Sequence, residues 1–188
     1  MAHNNHFFFR HMSPNPVPIP SALKTLLLQS FGSIETLRKE VLYTAMSMFG
    51  PGFVWLVKAD QPGMFASFKV LPTYLAGSPY PGAHWRRQEV DLNTAVGSTP
   101  VGMEAARKHL ENTAYGLGKQ TFETKKRLEH APGGTNVVPV LCVNVWEHVY
   151  MPDYGIAGKQ AFVEKWWNHI NWEMVNEEAN LQKKTYIS

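Results

Sequence analysis

The chain has 188 residues, of which 44% are hydrophobic and 18% are charged, and its formal net charge at pH 7 is +3. This is the composition of an ordinary globular protein, and it excludes an intrinsically disordered chain. The charge is too small to demand a nucleic-acid partner, and no apolar run approaches the roughly 20 residues that cross a bilayer. The single cysteine, Cys142, excludes an internal disulfide and suits a reducing compartment.

The beginning of the chain is aromatic, with three consecutive phenylalanines from Phe7 to Phe9. It has the character of neither a secretory signal nor an Arg- and Ser-rich amphipathic presequence. Apolar rings this close to the start of a chain need to be covered. We therefore expect either that a partner protein covers them or that further residues precede Met1 in the complete protein.

Two helices are predicted after a proline-rich linker. Ser21 can cap the first of them, and Gly32 closes it. The second begins at Ser33 and runs to about Met48, because apolar residues recur along it at helical spacing.

Three strands are predicted next, at residues 53–59, 64–71 and 137–143. The third is continuous and apolar enough to be buried. The segment between the second and third strands is longer than a loop normally needs, and residues 103–130 within it have a partly helical pattern. A last helix is predicted over residues 159–181.

Five pieces of the sequence, taken together and in order, resemble the iron/manganese superoxide dismutases. Each piece is a weak signal alone, but five in the right order are specific, and they span most of the chain outside residues 72–134. The pieces are His6 with the phenylalanines after it, residues 31–33, residues 50–56, residues 144–150 and residues 167–172.

The resemblance implies an α+β fold, in which a helical hairpin is followed by an α/β domain with a three-stranded antiparallel sheet. On this basis residues 1–20 are the remnant of the hairpin domain and its linker. Residues 21–188 form the C-terminal α/β domain, with a long insertion at about residues 72–134 between strands 2 and 3.

A metal ligand set is also implied by the resemblance. The family binds one iron or manganese ion through a histidine from each hairpin helix and through an aspartate and a histidine near the third strand. His6 then takes the place of the second histidine and His148 that of the last, while Asn144 stands where the aspartate should be. The first histidine would lie upstream of Met1. Because an amide oxygen carries no charge to offset a trivalent ion, we expect a degenerate site without a cofactor; iron or manganese would be the cofactor if the site functions.

The surroundings of the implied site are altered as well. Phe49 stands where manganese-type enzymes place a glutamine that hydrogen-bonds the solvent ligand, and a phenyl ring cannot replace it. Trp146 and Trp55 keep the aromatic wall. We expect impaired catalysis and assign no catalytic residue.

Three residues match the family's dimer interface. Glu147 and His148 pair across the twofold axis in the family, and Tyr150 matches a further interface position. These residues imply a homodimer, or a heterodimer with another dismutase-like chain. As a lone histidine, His148 could instead be an ordinary histidine at a strand end, with Glu147 and Tyr150 as its partners.

A dismutase scaffold with lost metal chemistry and a long insertion is similar to the dismutase-like small-subunit proteins of fungal mitochondrial ribosomes. The resemblance implies a structural protein of the mitochondrial matrix with ribosomal RNA and ribosomal proteins as partners, and with no membrane or DNA partner. The candidate contacts to RNA or protein are Arg86, Arg87, Lys125, Lys126 and Arg127. Acidic residues close by leave a solvated mixed-charge surface as the alternative.

Two other functions stay open at this point. One is an active or weakly active iron/manganese dismutase, converting two superoxide ions to oxygen and hydrogen peroxide, whose ligand set tolerates Asn144. The other is a free pseudoenzyme dimer that acts as a scaffold.

Overall fold

The computed structural model describes residues 1–59, 67–80 and 137–180. The chain divides into two units, the first made of Met1–Tyr80 with Thr135–Ser188 and the second of Pro81–Gly134. The second unit lies outside the described residues, as do the predicted helical segment 103–130 and the five candidate contact residues of the insertion. The division into residues 1–20 and 21–188 stays a prediction.

Three helices precede the sheet. The helices that follow the linker confirm both predictions. Gly32 ends the first of them with φ +76°, a conformation that favours glycine. The Ser33 hydroxyl caps the second by accepting a hydrogen bond from the Thr36 N–H at 3.0 Å. Ser21, by contrast, is the first helical residue and gives no capping bond. The three helices are α1 (Ala2–Arg10), α2 (Ser21–Phe31) and α3 (Ile34–Ser47).

The sheet has three antiparallel strands, as the resemblance implied. Strand β1 lies in the centre, with β2 on one side and β3 on the other. Trp55 of β1 is paired with Leu71 of β2 and with Cys142 of β3. The central strand is almost wholly buried, so it carries large apolar side chains on both faces. The strands are β1 (Gly52–Ala59), β2 (Ser67–Tyr74) and β3 (Val137–Asn144).

The second strand ends later than predicted. The prediction stopped it at residue 71, just before Pro72, but β2 continues to Tyr74. Proline removes a backbone donor, and this is tolerated because β2 is an edge strand of the sheet formed by the described residues. The start of the predicted strand, residues 64–66, lies outside the described residues.

The C-terminal region contains three helices where one was predicted. The helix expected over residues 159–181 is interrupted after Trp167, because the chain there pairs with the segment that follows α1. Met12 and Ile170 form an isolated antiparallel bridge, and the His11 carbonyl accepts the Asn171 N–H at 2.8 Å. The helix before this region was not predicted, since it is short and contains Pro152. The three helices are α4 (Glu147–Tyr154), α5 (Lys159–Trp167) and α6 (Trp172–Asn180).

One apolar core joins the helices to the sheet. Phe7 and Phe8 of α1 are buried in it, and the Phe7 ring lies 5.5 Å from that of Trp55. The chain therefore covers two of its three N-terminal phenylalanines itself, while Phe9 remains 64% exposed. Within the described ranges, no helix combines the length and apolar character needed to cross a membrane.

Candidate functional site

Asn144 ends strand β3 and is only 1% exposed. Its side-chain oxygen accepts the Trp146 N–H at 2.9 Å, and its side-chain nitrogen donates to the Asn5 Oδ1 at 2.9 Å. The backbone donor at Trp146 fixes the orientation of the amide, because only the oxygen can accept it. Asn5 and Asn144, called the amide pair below, thus form a direct link between α1 and β3.

His6 does not face Asn144. It is exposed, whereas its neighbour Asn5 is the α1 residue in contact with the strand end. Consecutive residues on a helix point about 100° apart, so both cannot face the same partner. The place beside Asn144 that the resemblance gave to His6 is therefore filled by Asn5.

His148 is exposed in the first turn of α4. Its ring centroid lies 5.5 Å from that of Trp146, and it forms no hydrogen bond with a described residue. Among the described residues, neither Glu147 nor Tyr150 forms a hydrogen bond with His148. The alternative in which they are its partners is therefore not supported by a hydrogen bond. Across residues 1–59, 67–80 and 137–180, no three His, Cys, Asp or Glu side chains come together as a metal site.

The aromatic residues of the implied site differ in burial and in hydrogen bonding. Trp55 is buried, and its indole N–H donates to the Thr73 hydroxyl at 2.8 Å. Trp146 is half-buried, and its indole N–H is buried without a partner among the described residues. Phe49 is 96% exposed, which places it on the surface of the described chain. Only Trp55 is fully enclosed.

The three implied interface residues do not share one environment. Glu147 is half-buried and His148 is exposed, so both are accessible from the surface. Tyr150 is buried in the chain's own core, where its ring stacks on Phe162 at a centroid distance of 6.1 Å. A dimer contact through Glu147 and His148 stays a prediction.

The donor set does not fit iron or manganese. Trivalent metals need hard, charged ligands, and the amide pair offers two neutral groups whose polar atoms already bind each other. The oxygen of Asn144 is also engaged by the Trp146 N–H. A metal ion between these side chains would have to break both hydrogen bonds without gaining a negative charge.

Sequence reasoning missed the role of Asn4. It is buried, and its side-chain nitrogen donates to the Gly77 carbonyl at 2.9 Å. The same carbonyl accepts the Thr73 hydroxyl at 3.0 Å. The available signal was an asparagine at helical spacing from the apolar Phe7 and Phe8, because a polar group on the buried face of a helix needs a partner.

Sequence reasoning also missed His11. It is fully buried, its Nδ1 donates to the Phe7 carbonyl at 2.7 Å, and its Nε2 has no partner among the described residues. Burial lowers the pKa of His11. With Nδ1 carrying the hydrogen, the neutral imidazole is the form that suits this environment.

The family model for the iron/manganese superoxide dismutases, C-terminal domain, matches residues 19–82 and 108–178. The chain belongs to this family. The match covers the three-stranded sheet and the helices from α2 onward, with α1 outside it, and the dismutase-like fold implied by the sequence is confirmed.

Relatives of two kinds are similar to this dismutase-family chain. The small ribosomal subunit protein mS42 of Schizosaccharomyces pombe is 28% identical over 92% of this chain and 60% of the relative. The small ribosomal subunit protein mS43 of the same organism is 24% identical over 94% of this chain and 57% of the relative. The iron superoxide dismutase of Helicobacter pylori is 24% identical over 97% of this chain and 59% of the relative.

The chain thus spans about 60% of the length of these curated relatives. Their names divide between ribosomal proteins and an iron superoxide dismutase. The choice between the two kinds of function therefore depends on the chemistry of the site.

Proposed function

We propose that this dismutase-family chain is a structural protein of the mitochondrial small ribosomal subunit and does not dismutate superoxide. The amide pair supports the claim that the chain does not dismutate superoxide. Superoxide dismutation needs an ion that alternates between two oxidation states, and charged ligands have to offset the higher one. Asn5 and Asn144 supply no charge and satisfy each other at 2.9 Å.

Similarity to mS42 and mS43 supports the ribosomal half of the proposal. The identity to mS42, 28%, exceeds the 24% to the iron dismutase of Helicobacter pylori. The proposed location is the mitochondrial matrix, and the proposed partners are ribosomal RNA, ribosomal proteins and a second dismutase-like chain. No cofactor is proposed.

The surface of Glu147 and His148 is the proposed contact with the second dismutase-like chain. Both residues lie at the start of α4 and are reachable from solvent. His148→Ala should weaken copurification of the partner chain. His169→Ala is the control, because His169 is a half-buried histidine that solvent can also reach but lies after α5.

A second candidate is a weakly active iron/manganese dismutase. His148 favours it, since imidazole is a good ligand for iron and manganese, and so does the similarity to iron dismutases. This candidate requires the amide pair to open and the remaining ligands to come from elsewhere. The third candidate, a free scaffolding dimer, requires neither metal nor ribosome.

One experiment separates the three. The complete protein is tagged in its own cell, and mitochondrial extracts are resolved on density gradients at high and low magnesium. Sedimentation with the small subunit under both conditions, together with substoichiometric iron and manganese by elemental analysis, is the expected result. An unrelated matrix protein of similar size is the control for trapping.

The other outcomes contradict the proposal in distinct ways. Near-stoichiometric iron or manganese with superoxide removal by the purified protein would establish the dismutase. A metal-poor dimer found only at the top of the gradient would establish the free scaffold.

A further inference from the structure

We infer that side-chain amides join α1 to the sheet in this protein and make that junction independent of any metal ion. The inference deepens the proposed loss of metal chemistry, but it does not depend on the ribosomal assignment. It rests on two adjacent asparagines that reach two different strand ends.

The first connection runs to the end of β3. Asn144 donates its side-chain N–H to Asn5 and accepts the backbone N–H of Trp146, both at 2.9 Å. Because the amide is oriented by the backbone, it presents a donor to α1 in only one way. The burial of Asn144 strengthens the bond, since little water competes for its side chain, while Asn5 is half-buried.

The second connection runs to the exit of β2. Asn4 donates to the Gly77 carbonyl at 2.9 Å, and Thr73 donates to the same carbonyl at 3.0 Å. The Thr73 hydroxyl in turn accepts the indole N–H of Trp55 at 2.8 Å. This series of hydrogen bonds therefore extends to the central strand β1 as well.

Together the two connections link one turn of α1 to all three strands, directly to β3 and through the shared Gly77 carbonyl to β2 and β1. The strands contribute Trp55 from β1, Thr73 from β2 and Asn144 from β3. Every group in these connections is neutral, so no charge is buried and no cation is needed to balance one. We call Asn4, Asn5, Thr73, Trp55 and Asn144 the α1 network.

The two members of the amide pair have different roles, since Asn144 donates and Asn5 accepts, and this gives a direct test. Asn5→Asp keeps an oxygen for the Asn144 N–H, so the junction should survive. Asn144→Asp replaces that donor by a second oxygen and places a negative charge at a position that is 1% exposed. This second substitution should open the junction.

The readout is amide hydrogen exchange along α1 in the full chain, measured with a chelator and with added manganese. Asn144→Asp should speed exchange in α1 by about threefold to tenfold, the effect of losing one buried hydrogen bond, and Asn5→Asp should speed it less. Gln160→Ala is the matched control, because it removes an exposed amide contact to Glu164 of 2.9 Å within α5. Neither chelator nor manganese should alter exchange in the natural chain.

Three results would overturn the inference. One is equal loss of protection in the two aspartate variants. Another is slower α1 exchange in the natural chain when manganese is added. The third is protection of α1 by manganese in Asn144→Asp beyond the level of the natural chain, which would show that the junction was built for an ion. Failure of this test leaves the gradient experiment intact, and the reverse also holds.

Discussion

Arg10 on α1 and Glu178 on α6 form an ion pair with an N–O distance of 2.8 Å. Their side chains are 43% and 15% exposed, so the pair lies at the surface and is partly shielded by the protein. It joins two helices that are far apart in sequence. It holds α1 to a helix near the C-terminal end of the described chain, whereas the α1 network holds α1 to the sheet. The position of α1 thus depends on residues from both ends of the described sequence.

Arg10→Gln should lower the free energy of unfolding by about 0.2–1 kcal/mol, the range measured for ion pairs near a surface. Urea unfolding at low and high salt is the measurement, and the loss should shrink at high salt because ions screen exposed charges. Arg38→Gln is the control. Its partner Glu35 is 3.9 Å away on the same helix, and both side chains are more exposed than Glu178. Equal effects of the two substitutions would contradict the prediction.

The buried His11 should make stability depend on pH. Burial lowers the pKa of His11 from its ordinary value of 6.5, with Arg10 acting in the same direction and the Phe7 carbonyl and Glu178 opposing. The unfolded chain therefore takes up this proton more readily than the folded chain. Stability from this group should be constant above about pH 6.5 and should fall as the pH drops below it.

A pH series of urea unfolding checks this expectation in the natural chain and in His11→Gln. The loss of unfolding free energy at acidic pH should be smaller in His11→Gln than in the natural chain, whatever the change in stability at neutral pH. His169→Gln is the control, because His169 also contacts a carbonyl four residues earlier, at 2.8 Å, but is only half-buried, whereas His11 is fully buried. An unchanged acid slope in His11→Gln would show that other groups cause it.

Ser30 contacts the side of β2 that faces away from β1. Its hydroxyl accepts the Phe68 N–H at 3.0 Å and donates to the Leu26 carbonyl at 3.0 Å. Ser30→Ala should destabilise the protein by about 1 kcal/mol, because a backbone donor on β2 loses its partner. Ser47→Ala, which removes an exposed hydroxyl contact to Thr44, should change stability by less than about 0.5 kcal/mol.

Self-association is a second readout for the Ser30 variant. An unpaired edge N–H is a site at which another chain can add a strand. Sedimentation velocity should therefore detect more dimer or aggregate in Ser30→Ala than in Ser47→Ala. Identical profiles for the two variants would indicate that the hydroxyl does not protect this edge.

Local chemistry explains which parts of the fold could be predicted. The boundary between α2 and α3 could be predicted because Gly32 and Ser33 each end or begin a helix by their own conformational and hydrogen-bonding properties. The break between α5 and α6 could not, since it depends on Ile170 pairing with Met12 from the other end of the chain. No local signal reports such a contact.

The candidate site could also be predicted only in part. The sequence pointed to Asn144 as an altered ligand position, but it placed His6 opposite, one residue from the partner seen in the structure. Helical spacing contained the missing information, because the buried residues Asn4, Phe7, Phe8 and His11 define the inner face of α1 and its continuation. His6 lies off that face.

The bridge between Met12 and Ile170 has a consequence for synthesis of the protein. A chain emerges from its N-terminus, so the segment after α1 is made early and its pairing partner is made late. Contacts this distant in sequence form slowly, because a long loop has to close first. Phe7 can pack against Trp55 once β1 has been made, whereas Met12 has to wait for Ile170, so the segment after α1 completes its contacts later than α1 itself.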